Sequence, residues 1–326
     1  TDERTSLASF RFIGGFSAGL MVTATANYLV EYFKTTSDLA SAYQKTVAIY
    51  AIIAGVFFVF TFIGTKERLD PEEVEPSSLK EDLSDLLKNK PWFIMLGAAI
   101  AVLIFNSLRG GAILYYFKYF IGDQTIAFFG KVPQGALSAA FMSSGYATSL
   151  LGVIMAIPVA TRIGKKNTFM LSGLVCTILS ILFFFIPSEQ IELIFIINIL
   201  IGIFSAMAFP LIWSMYGDVS DYSELKTGRR ATGLIFSSSS MSQKLGWTIG
   251  GAISGWILAA FGFIANEVQS DESVLGIRLM ISIFAALGAL ISIAIMYFYP
   301  LTEKFMKEEV EGPLEEARAK YNEITS

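Results

Sequence analysis

The chain has 326 residues, of which 54% are hydrophobic and only 16% charged, where a soluble domain carries roughly a quarter charged residues. A mean hydropathy of +0.58 and charges clustered between long apolar runs exclude an ordinary soluble enzyme, and a net charge of −4 gives no basis for binding nucleic acid. With no histidine and one cysteine, Cys176, the chain has no Ser-His or Cys-His pair, no histidine metal site and no internal disulfide.

The opening TDERTSLASF is charged and then polar, unlike a secretory signal; starting at Thr1 just ahead of an apolar run, it reads as a fragment or a processed chain. A membrane-spanning helix needs about 20 mostly apolar residues, and eight stretches qualify. The first runs from Leu7 to Phe33, the second from Thr46 to Gly64. A polar break, Thr65 to Lys90, follows; Pro71 and Pro76 hold its first half extended, Ser78 opens a short amphipathic helix, and Pro91 ends it. In that helix Leu79, Leu83, Leu86 and Leu87 face one way, and Lys80, Glu81, Asp82 and Asp85 the other. Then come Trp92–Ile121, Leu137–Ala160, Thr168–Ile186, Ile191–Met215, Thr232–Phe263 and Leu275–Tyr299. A charged tail, Thr302–Ser326, is expected to lie in water.

The pattern is that of an all-α polytopic membrane protein. The break is its best domain boundary: residues 1–64 are two helices of one bundle, 65–91 a linker, 92–300 a six-helix bundle, and 301–326 a tail. If two six-helix bundles flank the linker, four further helices belong upstream, making eight present of twelve. Lysines and arginines of short loops set the orientation. Arg162, Lys165 and Lys166, then Lys226, Arg229 and Arg230, and the basic residues of the break place both termini and the linker in the cytoplasm; Lys34, Lys45 and Lys131 are scattered exceptions.

Ionisable groups inside spans are costly and usually mark function. Lys244 sits near the middle of the seventh stretch, either paired with a carboxylate of a neighbouring helix or facing a water-filled cavity. Gly246, Gly250, Gly251 and Gly255 on the same stretch permit close helix approach, and Ser237 to Ser240 can bond inward. Arg109 shares a face of the third stretch with Asn106, either bonding carbonyls of a broken neighbour or facing a cavity. Tyr116 beyond it and Trp247 after Lys244 are aromatic candidates for substrate contact. Arg11, a few residues into the first run, reads from hydropathy as an interfacial cation whose side chain reaches back to water. Asn27 and Asn198 can simply join helices. The segment YGDVSDYSELKTGRR reads either as a solvated loop or as weak ion pairs that lock one side and break when it opens. No phosphate loop, metal spacing or nucleophile elbow occurs, so no enzyme is expected.

The segments ERTSLASFRF, NSLRGGAILYYFKYFIG, PVATRIGKKN and YGDVSDYSELKTGRRATG, the last leading into QKLGWTIGGAISGWIL, resemble the glycoside–pentoside–hexuronide:cation symporters, the melibiose-permease group of the major facilitator superfamily. The resemblance covers essentially the whole chain, as helices five to twelve of twelve. It implies that Arg11 contacts sugar, against the hydropathy reading, and that Lys244 lies near the sugar and cation sites. It implies a cytoplasmic gate at Asp218, Asp221, Arg229 and Arg230, to which the loop charge of Arg162 is added. The family's cation-site acids fall on helices upstream of Thr1, so no metal site is expected in these residues.

What this implies is secondary active transport: symport of a glycoside, pentoside or hexuronide with sodium or protons by alternating access, in a bacterial inner membrane. The partners implied are a sugar, a monovalent cation and the bilayer, with no nucleic acid and a monomeric state, and no cofactor beyond the coupling cation. A non-transporting receptor or scaffold of the same fold, or a symporter of a non-sugar solute, are the alternatives. These residues alone, holding one side of the site, are not expected to transport. With the upstream helices present, Lys244→Ala should abolish cation-coupled uptake while leaving expression intact; full coupled activity in that variant would refute the role.

Overall fold

The computed structural model describes residues 2–66, 79–126, 130–228 and 232–314. Pro71, Pro76 and Ser78 of the linker, Arg229 and Arg230, and the last residues of the tail lie outside this set. Each apolar stretch forms a helix: α1 (Asp2–Lys34), α2 (Leu39–Gly64), then the short α3 (Leu79–Lys88), α4 (Lys90–Tyr116), α5 (Gln134–Ile163), α6 (Lys165–Phe184), α7 (Ile191–Thr227), α8 (Thr232–Ala260), α9 (Asp271–Leu279) and α10 (Ala285–Tyr297). A π-helical turn, Met280–Phe284, joins α9 to α10 in one continuous span, and another, Phe117–Ile121, extends α4. A small antiparallel hairpin, β1 (Gln124–Ile126) with β2 (Gly130–Val132), leads into α5. There Asp123 accepts the Gln134 backbone N–H at 3.1 Å and pairs with Lys131 at 3.3 Å.

Seven of the described helical spans are long and apolar enough to cross a membrane. The eighth, α8, is 29 residues long, but its serine run and Lys244 dilute its hydropathy. It lies along α4 in parallel register: Trp92 meets Ser238, Leu103 meets Gly246, Ser107 meets Gly250, and Gly111 meets Ser254. In the same parallel sense α5 follows α7, with Phe141 at Asn198, Thr148 at Gly202 and Gly152 at Ala206. Glycine makes both contacts possible. A Cβ on Gly246 would sit 2.5 Å from that of Leu103, and one on Gly152 would collide with the Ile203 carbonyl. Gly251 and Gly255, which the sequence grouped with Gly246 and Gly250, face open space instead. α1 runs antiparallel to α5 and α7, through Phe16 against Tyr146 and Phe12 against Phe209.

Two apolar clusters hold the ends of the bundle. One gathers Trp92, Ala160, Tyr216, Val219 and Ile235; the other gathers Phe117, Phe141, Phe183, Ile194 and Ile277. The first contains three corrections to the sequence reading. The segment after Met215 is not a loop: α7 continues to Thr227, with Asp218 and Asp221 buried, and ends on Gly228 at φ 67°. The tail does not lie free in water. Beyond Thr302 it forms α11 (Glu303–Phe305) and a π-helical turn, Met306–Glu311, and buries Met306, Val310 and Leu314. Those residues recur every four positions, which places them on one helical face. Finally, α3 stops at Lys88 because Asn89 caps α4, accepting the Trp92 N–H at 3.1 Å; Pro91 sits in α4's first turn, where no donor is needed. Of the leucines of α3 whose side chains are described, Leu86 is buried, and Leu83 and Leu87 are exposed.

The start of α1, α3, the α5–α6 turn, the end of α7 and the tail share one end of the bundle, here the linker end, as an even number of spans requires. Gly250→Ala should lower the thermal unfolding midpoint in detergent, since overpacking costs about 1–3 kcal/mol. Gly251→Ala should leave it unchanged or raise it through helix propensity, worth up to about 1 kcal/mol. Equal shifts would mean that the α4–α8 contact is not backbone-tight.

Candidate substrate chamber and linker-side lock

Between the two apolar clusters, where α1, α4, α5, α7 and α8 meet, lies a cavity of about 370 Å³. Each helix presents a stripe at helical spacing: Phe12 and Phe16 from α1; Asn106, Arg109 and Ile113 from α4; Met142, Tyr146 and Ser149 from α5; Asn198, Ser205 and Phe209 from α7; and Trp247 from α8. The walls are largely apolar and aromatic, with a few convergent polar groups, and the volume falls in the roughly 300–1,000 Å³ range of small-molecule sites.

The polar groups form two linked sets. Asn106 donates to the Val102 carbonyl at 2.9 Å and accepts from the Ser205 hydroxyl at 3.0 Å. That leaves one amide N–H and one lone pair for a ligand. Asn198 donates to the Phe141 carbonyl at 3.0 Å and the Ser144 hydroxyl at 3.2 Å, and its oxygen accepts from Arg109 at 3.5 Å. The second Arg109 bond goes to the Ile281 carbonyl at 2.9 Å, inside the π-helical turn of the last span. The arginine thus both bonds a carbonyl of an irregular neighbour and lines a cavity, the two readings its sequence left open. Pro210 lacks the N–H that would bond residue 206, so the Ala206 carbonyl at the cavity wall loses its helical donor.

Of the sequence candidates, the cavity brings together Asn106, Arg109 and Trp247. Tyr116 lies elsewhere: it is 2% exposed and packs its ring 5.4 Å from Phe183 in the far apolar cluster, because two helical turns separate it from Arg109. Arg11 is exposed on α1, its guanidinium 4.1 Å from the centre of the Trp213 ring. It adjoins Phe12, which lines the cavity, without lining it itself. Lys244 is exposed on α8, three residues before Trp247 on the same face, and no carboxylate pairs with it among the described residues. Sequence reasoning missed Tyr146, Ser149 and Ser205 and gave Asn198 only a joining role. The signal was present in α7, where Asn198, Gly202, Ser205 and Phe209 repeat at i, i+4, i+7 and i+11.

At the linker end Lys165 pairs with Asp218 at 2.5 Å, the side chains 5% and 3% exposed. The sequence read Lys165 only as an orientation signal and expected weak surface pairs at Asp218. The pair is buried because α7 continues as a helix through Asp218 to Thr227 and the start of the tail, Leu301 to Lys304, packs beside it. Glu303 of the tail accepts the Lys165 backbone N–H at 3.3 Å, and Lys166 donates to the carbonyls of Tyr297 and Tyr299, both at 2.7 Å. Arg162 is exposed and lines the cleft beside this pair. Asp221 is buried one turn beyond Asp218.

The sequence profile of the family described as MFS/sugar transport protein matches residues 1–303. The chain is 29% identical to the glucuronide carrier protein homolog of Escherichia coli over 95% of its own length and 66% of that protein. It is 30% identical to the isoprimeverose transporter of Lactiplantibacillus pentosus over 99% of its length and 65% of that one. It thus spans about two thirds of the length of these relatives. Among solved structures, the E. coli fucose:proton symporter FucP matches 86% of this chain and 65% of its own with a TM-score of 0.54 at 15% identity, which is a likeness of fold.

Removing one partner of a buried ion pair costs about 3–5 kcal/mol, so Lys165→Met should lower the unfolding midpoint markedly. Arg162→Met, at an exposed site, should stay within about 0.5 kcal/mol. Thermal melts in detergent distinguish them, and comparable losses would show that burial does not set the pair apart.

Proposed function

The chain belongs to the MFS/sugar transport protein family, whose relatives named above are transporters and not enzymes, and we propose that it forms the greater part of a secondary active transporter. Its cargo is a glycoside, pentoside or hexuronide carried with sodium or protons. The observation that carries the reading is the cavity itself: polar at Asn106, Asn198, Ser149 and Ser205, aromatic at Phe12, Phe16, Tyr146, Phe209 and Trp247. A sugar offers both surfaces, hydroxyls that bond amides and hydroxyls, and C–H faces that lie on aromatic rings.

Alternating access needs two ends that open in turn around a fixed site. The cavity sits between two apolar clusters, and the linker-end cluster carries the Lys165–Asp218 pair. In this reading the pair and Asp221, with Arg229, Arg230 and Arg162 nearby in sequence or space, close one end. Arg11 and Lys244 flank the chamber and join the network that couples cation to sugar. Coupling is reciprocal: a cation that tightens sugar binding is itself held more tightly by the sugar. The loop charge supports cytoplasmic termini in a bacterial inner membrane, with the protein working as a monomer.

The test is binding to the purified chain in nanodiscs, followed by isothermal titration over a glycoside panel with and without sodium and at two pH values. With the upstream helices present, at least one glycoside should bind more tightly with sodium or at the lower pH. Asn106→Ala should weaken it about tenfold, the loss of a hydrogen bond or two at about 1 kcal/mol each. No saturable binding under any condition would end this reading.

A further inference from the structure

Three membrane-length spans end together at the linker end of the bundle: α5 stops at Ile163, α6 starts at Lys165, and the last span stops at Tyr297. The α5–α6 turn and the first residues of the tail therefore lie where hydrocarbon gives way to water. The exposed rings of Tyr297 and Phe298 mark the same level, at which aromatic side chains gather.

A cleft of about 320 Å³ opens there, between residues 162–167 and residues 301–304 of the tail. Four cations line it, Arg162, Lys165, Lys166 and Lys304, against two acids, Asp218 and Glu303. Asp218 neutralises Lys165 in the buried pair, and Glu303 offsets one more cation. Two positive charges remain uncompensated, and their donors are available. Among the described residues the side chains of Arg162 and Lys304 make no hydrogen bond or ion pair. Lys166 spends two of its three ammonium hydrogens on the Tyr297 and Tyr299 carbonyls and keeps one. One oxyanion already sits at the turn, since the Glu303 carboxylate accepts the Lys165 backbone N–H at 3.3 Å.

Towards the membrane the surface beside the cleft becomes apolar. Asn167 at the rim is followed at i+4, i+7 and i+11 by Leu171, Leu174 and Ile178, all exposed along one face of α6. Ile163, exposed at the end of α5, borders the same mouth. The ligand that matches is anionic at its head and apolar along its length.

We propose that the cleft is a headgroup site for an anionic phospholipid. Its phosphodiester is held by Arg162, Lys304 and the remaining hydrogen of Lys166, and its acyl chains lie along the apolar strip of α6. Basic pockets between the ends of membrane helices take such headgroups. A zwitterionic lipid carries its own cation into the cleft and gains little from the excess positive charge. Arg162 stands on the α5–α6 turn and Lys304 on the tail, so the bound lipid ties the two together. The proposal is independent of which solute the chamber carries.

The experiment titrates the full chain, in neutral detergent, with phosphatidylglycerol and with phosphatidylcholine of the same acyl chains, and counts bound lipids by native mass spectrometry. The first phosphatidylglycerol should bind about tenfold more tightly than the first phosphatidylcholine, given two uncompensated charges. Arg162→Met combined with Lys304→Met should bring that ratio to within about threefold of unity. Lys118→Met combined with Lys131→Met removes the same charge at the opposite end and should leave the ratio as it was. All four side chains are exposed, so neither double variant opens the core. Inorganic phosphate at millimolar concentration should fail to displace phosphatidylglycerol; full displacement would show that a small anion suffices and would overturn the lipid assignment. Equal binding of the two lipids by the unsubstituted chain, or equal ratios in the two double variants, overturns the site.

Discussion

Close backbone approach at glycine is the constraint on which this molecule depends. Within a bilayer, helices gain nothing by hiding apolar surface from lipid, so their association rests on packing and interhelical hydrogen bonds. Gly246 and Gly250 let α8 settle on α4, and Gly152 and Gly202 do the same for α5 and α7. Both pairs run parallel, so each is a two-helix plank of fixed register. The chamber is the space left where those planks and α1 diverge. Filling a glycine on either contact would displace a whole plank and with it the stripe of side chains that the plank presents.

The polarity of the middle and the apolarity of the ends follow from the same arrangement. Each end is closed by large side chains in mutual contact, Tyr216 and Trp92 at one, Phe117 and Phe141 at the other. Such contacts re-form in discrete arrangements and do not stretch continuously. The middle holds Asn106, Ser205 and Asn198, whose hydrogen bonds link α4 to α7 and α7 to α5 without filling the space. The π-helical turn at Met280–Phe284 belongs to this design: its Ile281 carbonyl accepts from Arg109 and so fixes a charge that would otherwise seek water. Irregular helical turns of this kind recur at functional sites.

The helices were legible in the sequence because a bilayer imposes a length and a composition that few other structures share. The ends of helices were less so. Asp218 and Asp221 looked like loop residues because carboxylates are expected in water; α7 instead runs on through both, and Asp218 is buried against Lys165, fifty-three positions away, beside a tail that no local pattern docks there. The charge of Lys244 drew the eye to α8, yet its exposed placement leaves Trp247 as the residue of that turn which reaches the chamber. Tyr116 and Asn106 lie on one helix ten residues apart, and that distance along the axis carries the tyrosine out of the chamber and into the far apolar cluster. Asn198 was read as joining helices, which its bonds to α5 do, but its seven-residue spacing from Ser205 also puts both on the face that lines the chamber.

The docked tail has a consequence for biogenesis. The linker-end cluster draws Leu86 and Trp92 from the first third of the chain and Met306 and Val310 from its far end. Chains are made from the N-terminus, and domains fold as units once their parts have emerged. The surface around Leu86, Tyr216 and Val219 therefore gains Ile235 with α8 and Met296 with α10, and stays partly uncovered until the tail follows. It is sealed only after the last span has been inserted and the tail has left the ribosome. A molecule halted before Val310 would display an open apolar patch on its linker-side face, a mark by which proteolytic surveillance at the membrane surface could tell an unfinished copy from a finished one.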